Sequence, residues 1–241
     1  MDYNIYADLQ KQYPRTICND NMMPTDLRKR FEHGIIEVVA DDRALFLFES
    51  REGFAKLHFR LIDASAKLKS RDGMVAAYLT YRDGNSPEAA AAWLLGQGFR
   101  KIKTLRRHTA TIITGDLTTD GVGRASVDEA YAMLGEYFGA AEADLPCREL
   151  FEGALCIRSE VGVQIGAIYL GRPSILAVTP EARGNGVGRR LYRAYAAIKT
   201  SEDNKCLFHE WVSPDNTESL AMFKSLGFAA DDVFTDCYVR S

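Results

Sequence analysis

The 241-residue sequence has little of several features that mark specialised classes of protein. It holds only five cysteines, an odd number, and no CxxC motif occurs. The thiols are scattered along the chain at Cys18, Cys147, Cys156, Cys206 and Cys237. This pattern argues against a disulfide framework and against a zinc site, and it is typical of a protein in a reducing cytoplasm. We expect no bound metal.

Long apolar runs and an excess of charge of either sign are also missing. No run of 18 apolar residues occurs, and the first ten residues are acidic and polar, so neither a membrane span nor a secretory signal is expected. The net charge is −3, with 30 Lys and Arg against 33 Asp and Glu. A balance so close to neutral provides no general attraction to nucleic acids or anionic membranes. We therefore expect a cytoplasmic protein that partners neither.

The rest of the composition is that of a globular protein, with 46% hydrophobic and 26% charged residues. The length corresponds to roughly one and a half domains of about 150 residues. Strand and helix patterns alternate, which predicts an α/β fold. In the first half we predict helix within 1–34, a hairpin of strands 44–50 and 54–62, and a strand at 75–81. A helix at 86–98, capped by Ser86, and strand structure over 100–114 follow.

A polar, glycine-containing segment at 115–129 suggests a domain boundary, which divides the chain into 1–115 and 116–241. In the second part we predict helices at 126–138 and 145–153 and a second hairpin of strands 154–160 and 161–170. A short strand at 175–180, a long helix at 185–198, a strand at 206–212, a helix at 216–227 and a last strand at 232–240 follow.

The two halves share an order of elements. Phe31–Gly34 precedes the first hairpin as Phe151–Gly153 precedes the second, and the helices before Phe99 and Phe228 both end in Gly-Phe. The order helix, hairpin, strand, helix, strand therefore occurs twice, which suggests two related lobes. Matches this short also arise by chance. Segment 174–198 has no counterpart in the first half.

That unmatched segment carries the strongest functional pattern. A short apolar strand leads through Pro180 to Arg183-Gly184-Asn185-Gly186-Val187-Gly188 and then into a helix. The three- to four-residue spacing of apolar positions along this helix predicts a core-facing stripe of Val187, Leu191, Ala194, Tyr195 and Ile198. Alternate glycines leave backbone N–H groups unshielded at a helix N-terminus, where the orphan donors and the helix dipole favour an anion. Arg183 and Arg189 add positive charge. The pattern predicts a pyrophosphate cradle, although a flexible strand-to-helix turn would also use three close glycines.

The spacing separates this segment from two better-known phosphate motifs. A P-loop requires GxxxxGK[ST], and the Rossmann fingerprint is GxGxxG, whereas this segment reads RGxGxG.

The segment resembles the cofactor-binding pattern of the GNAT acetyltransferases, V-x-P-x-x-R-G-x-G-x-G. The matching residues are Val178, Pro180, Arg183, Gly184, Gly186 and Gly188. A second family pattern, a strand ending V-x-x-x-N and a helix ending L-G-F, is matched by Val212, Asn216, Ala221, Leu226, Gly227 and Phe228. The resemblance covers roughly residues 125–241.

The resemblance implies a mixed, mostly antiparallel sheet flanked by helices, and the binding of acetyl-coenzyme A. The pyrophosphate would lie on N–H groups of Gly184, Asn185, Gly186, Val187, Gly188 and Arg189. The pantetheine arm would pair with the strand edge near Ala177 and Val178, where this strand and the strand at 206–212 splay apart. Asn216 and its helix would lie beside the thiol. The first lobe, without a glycine cradle, would be a degenerate relative that does not bind coenzyme A.

Acetyl transfer requires a neutral amine, a polarised thioester carbonyl and a leaving thiolate. For a general base we select His209 and Glu210, adjacent titratable residues in an apolar strand, of which alternation allows at most one to face the acceptor. Either could instead serve as a structural hydrogen-bonding group. The N–H of Val178 could donate to the carbonyl oxygen.

The sequence departs from the family at the acid that protonates the thiolate. Many members place a Tyr five residues before the Phe of L-G-F, and Phe223 stands there in this chain. Tyr192, Tyr195 and Tyr238 are possible substitutes, or packing residues.

These observations favour an N-acetyltransferase that acetylates a primary amine, preferably of a small molecule, by direct transfer. Phe223 motivates the alternative, a coenzyme A-binding regulatory or structural protein without turnover. A cradle for another nucleotide is a third possibility.

Overall fold

A computed structural model describes residues 2–14, 17–19, 22–138, 141, 144–203 and 205–241. The chain divides into two compact units. Unit 1 consists of Met1–Thr104 together with Val233–Ser241, and unit 2 consists of Leu105–Asp232. This division differs from the sequence-based boundary after residue 115, because the last strand of the chain pairs within unit 1. Among the described residues, no helix is both long and apolar enough to cross a membrane.

Unit 1 is a mostly antiparallel sheet covered by helices on both faces. Its helices are α1 (Tyr3–Gln10), α2 (Pro24–Glu32) and α3 (Glu88–Gly96), and its strands are β1 (Ile17–Cys18), β2 (Ile36–Ala40), β3 (Ala44–Arg51), β4 (Phe54–Leu61) and β5 (Val75–Arg82). The long strands β6 (Arg100–Ala110) and β12 (Ala229–Arg240) contribute residues to both units. The strand order is β12-β5-β4-β3-β2, with β1 on β4, and only the β4–β5 pairing is parallel.

The core of unit 1 lies on both faces of β3 and β4. On one face, Trp93 of α3 packs against Phe46 and Phe59, with ring centroids 5.9 and 4.7 Å apart. On the other face, Tyr6 of α1 and Leu27 of α2 belong to a second buried cluster. Because both faces are covered, β3 begins as an unbroken buried apolar run instead of an alternating one.

Unit 2 contains a four-stranded antiparallel sheet, and a further strand pairs with residues 106–110 of β6. Its strands are β7 (Gly123–Ala125), β8 (Ala154–Arg158), β9 (Gln164–Tyr169), β10 (Leu176–Val178) and β11 (Phe208–Val212), and its helices are α4 (Val127–Tyr137), α5 (Val187–Glu202) and α6 (Thr217–Ser225). The sheet order is β10-β9-β8-β7, while β11 pairs antiparallel with β6. The mixed, mostly antiparallel sheets flanked by helices confirm the predicted fold class.

Local differences from the sequence-based expectations occur at helix ends. The predicted helical segment 1–34 contains two short helices, and α2 begins at Pro24 after its N-cap Met23. Helix α3 begins after Pro87, and Ser86 accepts the Glu88 N–H through its backbone carbonyl, so the predicted Ser86 side-chain cap is wrong. The predicted helix near 145–153 is reduced to one 3₁₀ turn, Arg148–Leu150.

The two units share an order of elements but differ in one pairing. Strand β5, before the first Gly-Phe helix, pairs parallel with the hairpin strand β4, whereas β11, before the second Gly-Phe helix, pairs antiparallel with β6. The common ancestry of the two halves therefore stays a hypothesis.

Helix α5 packs against the sheet of unit 2 through the predicted stripe. Val187, Leu191, Ala194 and Tyr195 are buried, and Ile198 packs at the border of the same cluster. The close approach depends on Gly166 of β9. A Cβ there would lie 2.8 Å from Val187 Cγ1 and 2.9 Å from Leu191 Cδ1. Gly166 thus allows α5 to lie directly on β9.

We expect Gly166→Ala to destabilise unit 2 by about 1–3 kcal/mol, because overpacking forces two core side chains and the helix to move. Gly188→Ala is the matched comparison. Its Cβ would approach Met222 Sδ to 2.9 Å, and a flexible methionine can give way at lower cost. Urea unfolding of both variants measures the difference. Equal losses of stability would contradict this ranking.

Candidate active site

Strand β10 is an edge strand with one free side. Its register pairs Ala177 with Ala167, and the Thr179 N–H donates to the Ile165 carbonyl at 3.0 Å. In an antiparallel strand, the N–H and C=O groups of one residue point to one side of the strand, and those of the next residue point to the other side. The backbone groups of Leu176 and Val178 therefore point away from β9. This alternation assigns the outward groups to Val178 and its neighbour Leu176, whereas Ala177 is directed to β9.

The glycine segment after β10 shapes the start of α5. Gly184 and Gly186 both have φ of +76°, a left-handed conformation that side chains disfavour, and Gly186 is the N-cap. The first helical hydrogen bond is donated by Arg190 to the Gly186 carbonyl at 3.0 Å. The preceding amides of the first turn thus have no carbonyl partner within the helix. This is the geometry of an anion site.

Positive charge surrounds these amides. Arg183 and Arg189 are exposed, and Arg183 Nε donates to the Val178 carbonyl at 3.3 Å. A Cβ on Gly184 would meet nothing within 4 Å, so the loop is open on that side. The predicted pyrophosphate residues therefore lie together on one exposed loop and helix end. Among the described residues, no group of three or more His, Cys, Asp or Glu could hold a metal ion.

Strands β10 and β11 are not paired with each other in the structure. Strand β10 closes one edge of the four-stranded sheet, and β11 pairs with β6. The outward backbone groups of β10 are thus not used by β11. The expectation that β10 and β11 splay apart around a pantetheine arm stays a prediction.

Glu210 of β11 is enclosed between α5 and the chain that leads into β10. Its exposure is 3%. The Tyr192 hydroxyl donates to Oε1 at 2.7 Å, and the Ser174 hydroxyl donates to the same oxygen at 2.9 Å. Burial raises the pKa of Glu210 to about 8, and the bonds from Tyr192 and Ser174 only partly oppose that rise. The carboxyl group is therefore largely protonated at neutral pH.

Glu210 connects three elements of unit 2. It lies on β11, Tyr192 lies on α5, and Ser174 stands two residues before β10. A second bond supports the same loop, since the Tyr195 hydroxyl donates to the Gly171 carbonyl at 3.1 Å. Both candidate tyrosines of α5 are thus buried hydrogen-bond donors. Burial raises the pKa of both phenols well above the ordinary value, so they stay protonated.

The protonated state of Glu210 predicts a pH-dependent stability. A carboxyl whose folded pKa lies above its unfolded value binds more protons when folded, so stability falls as pH rises from about 4.5 through 8. We expect Glu210→Gln, which keeps a neutral polar group, to remove this loss, worth on the order of a few kcal/mol. Chemical denaturation at pH 5 and pH 9 tests it. An unchanged pH slope in the variant would contradict the assignment.

His209 lies on the opposite face of β11 from Glu210. The strand alternates between buried and half-buried residues, and His209 is half-buried. Burial, followed by the charges of Arg107 and Arg172, lowers the pKa of His209 below its ordinary value. The imidazole is therefore neutral at neutral pH and able to accept a proton. The structure thus separates the two candidate bases by face and by protonation state.

Asn216 and Phe223 have clear structural roles on α6. Asn216 is its N-cap, and the side-chain oxygen accepts the Ser219 N–H at 3.0 Å. Phe223 is buried in an aromatic cluster, with its ring centroid 5.3 Å from that of Tyr192 and 5.1 Å from that of Phe228. Tyr238 belongs to the core of unit 1.

The sequence does not predict the roles of two residues, Ser174 and Gly166. Ser174 sits in an irregular loop with no periodic pattern, and Gly166 is a lone glycine inside a strand. A glycine in a strand interior does signal close approach of another element, so Gly166 could have been noticed. Ser174 could not, because its role depends on a partner 36 residues away.

The open, glycine-shaped N-terminus of α5 thus follows shortly after an edge strand, so an anion site and a free strand edge lie next to each other in the sequence. Residues 153–228 match the model of the Acetyltransferase (GNAT) family, which confirms the resemblance of the C-terminal part of the chain to that family. The family supports acyl-coenzyme A-dependent acetyl transfer as the class of activity. No significant match occurs among curated proteins.

Solved structures show the same fold at low sequence identity. A Drosophila protein matches with a TM-score of 0.61 and 14% identity, over 99% of this chain and 87% of its own. A putative GNAT-family acetyltransferase from Novosphingobium aromaticivorans matches with a TM-score of 0.56 and 17% identity, over 88% and 93%. A putative acetyltransferase from Pyrococcus horikoshii matches with a TM-score of 0.57 and 10% identity, over 100% and 87%. At these identities the likeness concerns the fold.

Proposed function

We propose that this protein is an N-acetyltransferase that transfers the acetyl group of acetyl-coenzyme A directly to the primary amine of a small molecule. The observation that carries the proposal is the open amide cluster at the start of α5, directly after the free edge of β10. An anion site at a helix N-terminus beside an unpaired strand edge suits a ligand with a diphosphate and an amide-containing arm.

The open amides at the start of α5 and the free edge of β10 indicate which residues would contact the cofactor. The amides of Gly186 to Arg189 would hold the pyrophosphate, with Arg183 and Arg189 as counter-charges. Gly184 and Asn185 would form the open wall of the loop. The outward backbone groups of Val178 would pair with the pantetheine arm, which Ala177 would support from within the sheet. Asn216, as N-cap of α6, and the buried Phe223 would shape the thiol end by positioning that helix.

Acetyl transfer to an amine requires a general base that is unprotonated in the resting protein. An alkyl amine has a pKa near 10, so only about one molecule in a thousand is neutral at pH 7. His209 would accept the proton of the attacking amine, directly or through water, because its lowered pKa keeps the imidazole unprotonated. The Val178 N–H would donate to the thioester carbonyl oxygen.

Glu210 would act on this reaction indirectly. Its protonated carboxyl contacts Tyr192 and Ser174 and faces away from His209, so we assign it a positioning role in place of the general base. The leaving thiolate needs no dedicated acid, since a thiol has a pKa of about 8.5. Acetyl-coenzyme A supplies the activated acetyl group.

The cytoplasm is the proposed location. The five cysteines are odd in number and scattered along the chain, no CxxC motif occurs, and four of the five are buried. This pattern suits a reducing compartment.

The test is consumption of acetyl-coenzyme A against a panel of small primary amines, polyamines, amino acids and basic peptides. We expect turnover with one class of small amine. Tight binding of coenzyme A without turnover by any amine would favour the non-catalytic alternative that Phe223 motivates. Absence of coenzyme A binding in calorimetry would contradict both.

A further inference from the structure

Unit 1 contains a charged cavity that has no part in the site described above. It lies on one face of the β3–β4–β5 sheet, beside α2, and its volume is about 180 Å³. The charged side chains that line it are Arg30, Glu49, Arg51, Lys56 and His58. All of these residues belong to unit 1. The cavity therefore lies wholly within the unit that lacks the glycine segment.

The charges stand where the sequence pattern calls for apolar residues. Along β3, Leu45, Leu47 and Glu49 occupy alternate positions and thus share a face. The two leucines are buried in the core beneath α1 and α2, whereas the next residue on that face is a carboxylate. Burying a charge is costly unless it is paired. A carboxylate at this position therefore needs charge partners within the cavity.

Glu49 is held by three cationic or imidazole groups. Arg30 Nε lies 2.6 Å and an Arg51 terminal nitrogen 3.0 Å from Oε1, and His58 Nε2 lies 3.4 Å from Oε2. The Glu49 side chain is 1% exposed. Burial alone would raise the pKa of Glu49, but the hydrogen bond from His58 and the charges of Arg51, Lys56 and Arg30 outweigh it and hold the pKa well below its ordinary value. Glu49 is thus ionised.

Fixed positive charge outnumbers negative charge among the described lining residues. Arg30, Arg51 and Lys56 carry three positive charges, against one on Glu49. The Arg51 side chain is only 7% exposed, so its charge acts in a medium of low dielectric constant. Lys56 Nζ lies 4.5 Å above the centre of the Tyr78 ring, on the same side of the cavity. The field inside the cavity therefore favours an anion.

We propose that unit 1 binds a small organic carboxylate in this cavity, with Arg51 and Lys56 as its principal charge partners. A guanidinium matches the planar geometry of a carboxylate, and charge-assisted bonds of this kind are strong. The volume is below the 300–1,000 Å³ typical of sites for larger ligands, so a nucleotide would not fit. The exposed Thr80 on the cavity wall offers an entrance. Unit 1 is then a ligand-binding unit in its own right.

Calorimetric titration of the full chain with acetate, succinate, citrate and inorganic phosphate, at constant ionic strength, tests the proposal. We expect saturable binding of at least one carboxylate. Lys56→Gln should weaken it at least tenfold. Lys67→Gln, which removes the same charge from an exposed loop of unit 1, should leave it unchanged. Circular dichroism melting of each variant checks folding.

A second pair of variants covers the case in which Lys56→Gln does not fold. Thr80 is exposed, so Thr80→Glu should fold and should weaken binding by adding negative charge at the cavity wall, whereas Thr80→Gln, of the same size, should not. Binding of phosphate but of no carboxylate, equal losses in the paired variants, or no saturable binding of any anion would overturn the proposal.

Discussion

Gly186→Glu is expected to abolish coenzyme A binding. The side chain would place a carboxylate beside the amides that start α5, where it would repel the pyrophosphate. At a separation of about 5 Å and an effective dielectric constant of about 20, two like charges repel by about 3 kcal/mol, which is more than a hundredfold in affinity. The left-handed φ of +76° adds about 1–2 kcal/mol of backbone strain. Calorimetry measures the loss.

Gly186→Gln separates charge from size and strain at the same position. It should lose only the part that strain and bulk cause, so its affinity should lie between those of the wild type and the glutamate variant. The proposed carboxylate site of unit 1 should be unaffected by either change. Wild-type affinity of Gly186→Glu for coenzyme A would refute the placement of the pyrophosphate.

His209→Gln is expected to reduce the rate constant of acetyl transfer by about 10²–10⁴-fold, the range for loss of a general base. The KM for acetyl-coenzyme A should stay close to the wild-type value, since the residue is not assigned to cofactor binding. His108→Gln is the matched control, because His108 lies on β6, opposite Glu210 in the register, and also has a pKa lowered by burial. It should retain most of the activity.

The pH profile gives the same assignment an independent test. A base must be unprotonated to accept a proton, so activity should fall as pH decreases through the pKa of His209. Because burial lowers that pKa below 6.5, the acidic limb should lie below pH 6.5. His209→Gln should lose this limb. A profile that instead rises with a midpoint near 8 in the wild type, and is flattened by Glu210→Gln, would identify Glu210 as the base.

The cofactor half of the site could be predicted from sequence because it depends on local features. Glycine spacing, the apolar strand before it and the stripe of α5 all lie within about 25 consecutive residues. The structure places Gly186 at the N-cap and buries Val187 and Leu191 as expected. Local backbone chemistry determines such a segment, and little tertiary context is required.

The catalytic half could not be predicted in the same way. Alternation along β11 separates His209 from Glu210, but it does not say which of them faces α5. That choice depends on Tyr192 and on Ser174, which lie 18 and 36 residues away from Glu210. The pairing of β12 with β5 is likewise a contact between distant parts of the chain, so the division of the units could not be read from composition.

A crystal structure of the protein with coenzyme A tests directly whether the cofactor binds at the start of α5 and along the free edge of β10. We expect the pyrophosphate within hydrogen-bond distance of the amides of Val187, Gly188 and Arg189. We also expect the pantetheine arm along the outward edge of β10 at Val178, with the thiol on the His209 side of β11. A coenzyme A molecule bound away from the start of α5, or bound there with its arm directed away from β10, would contradict the account.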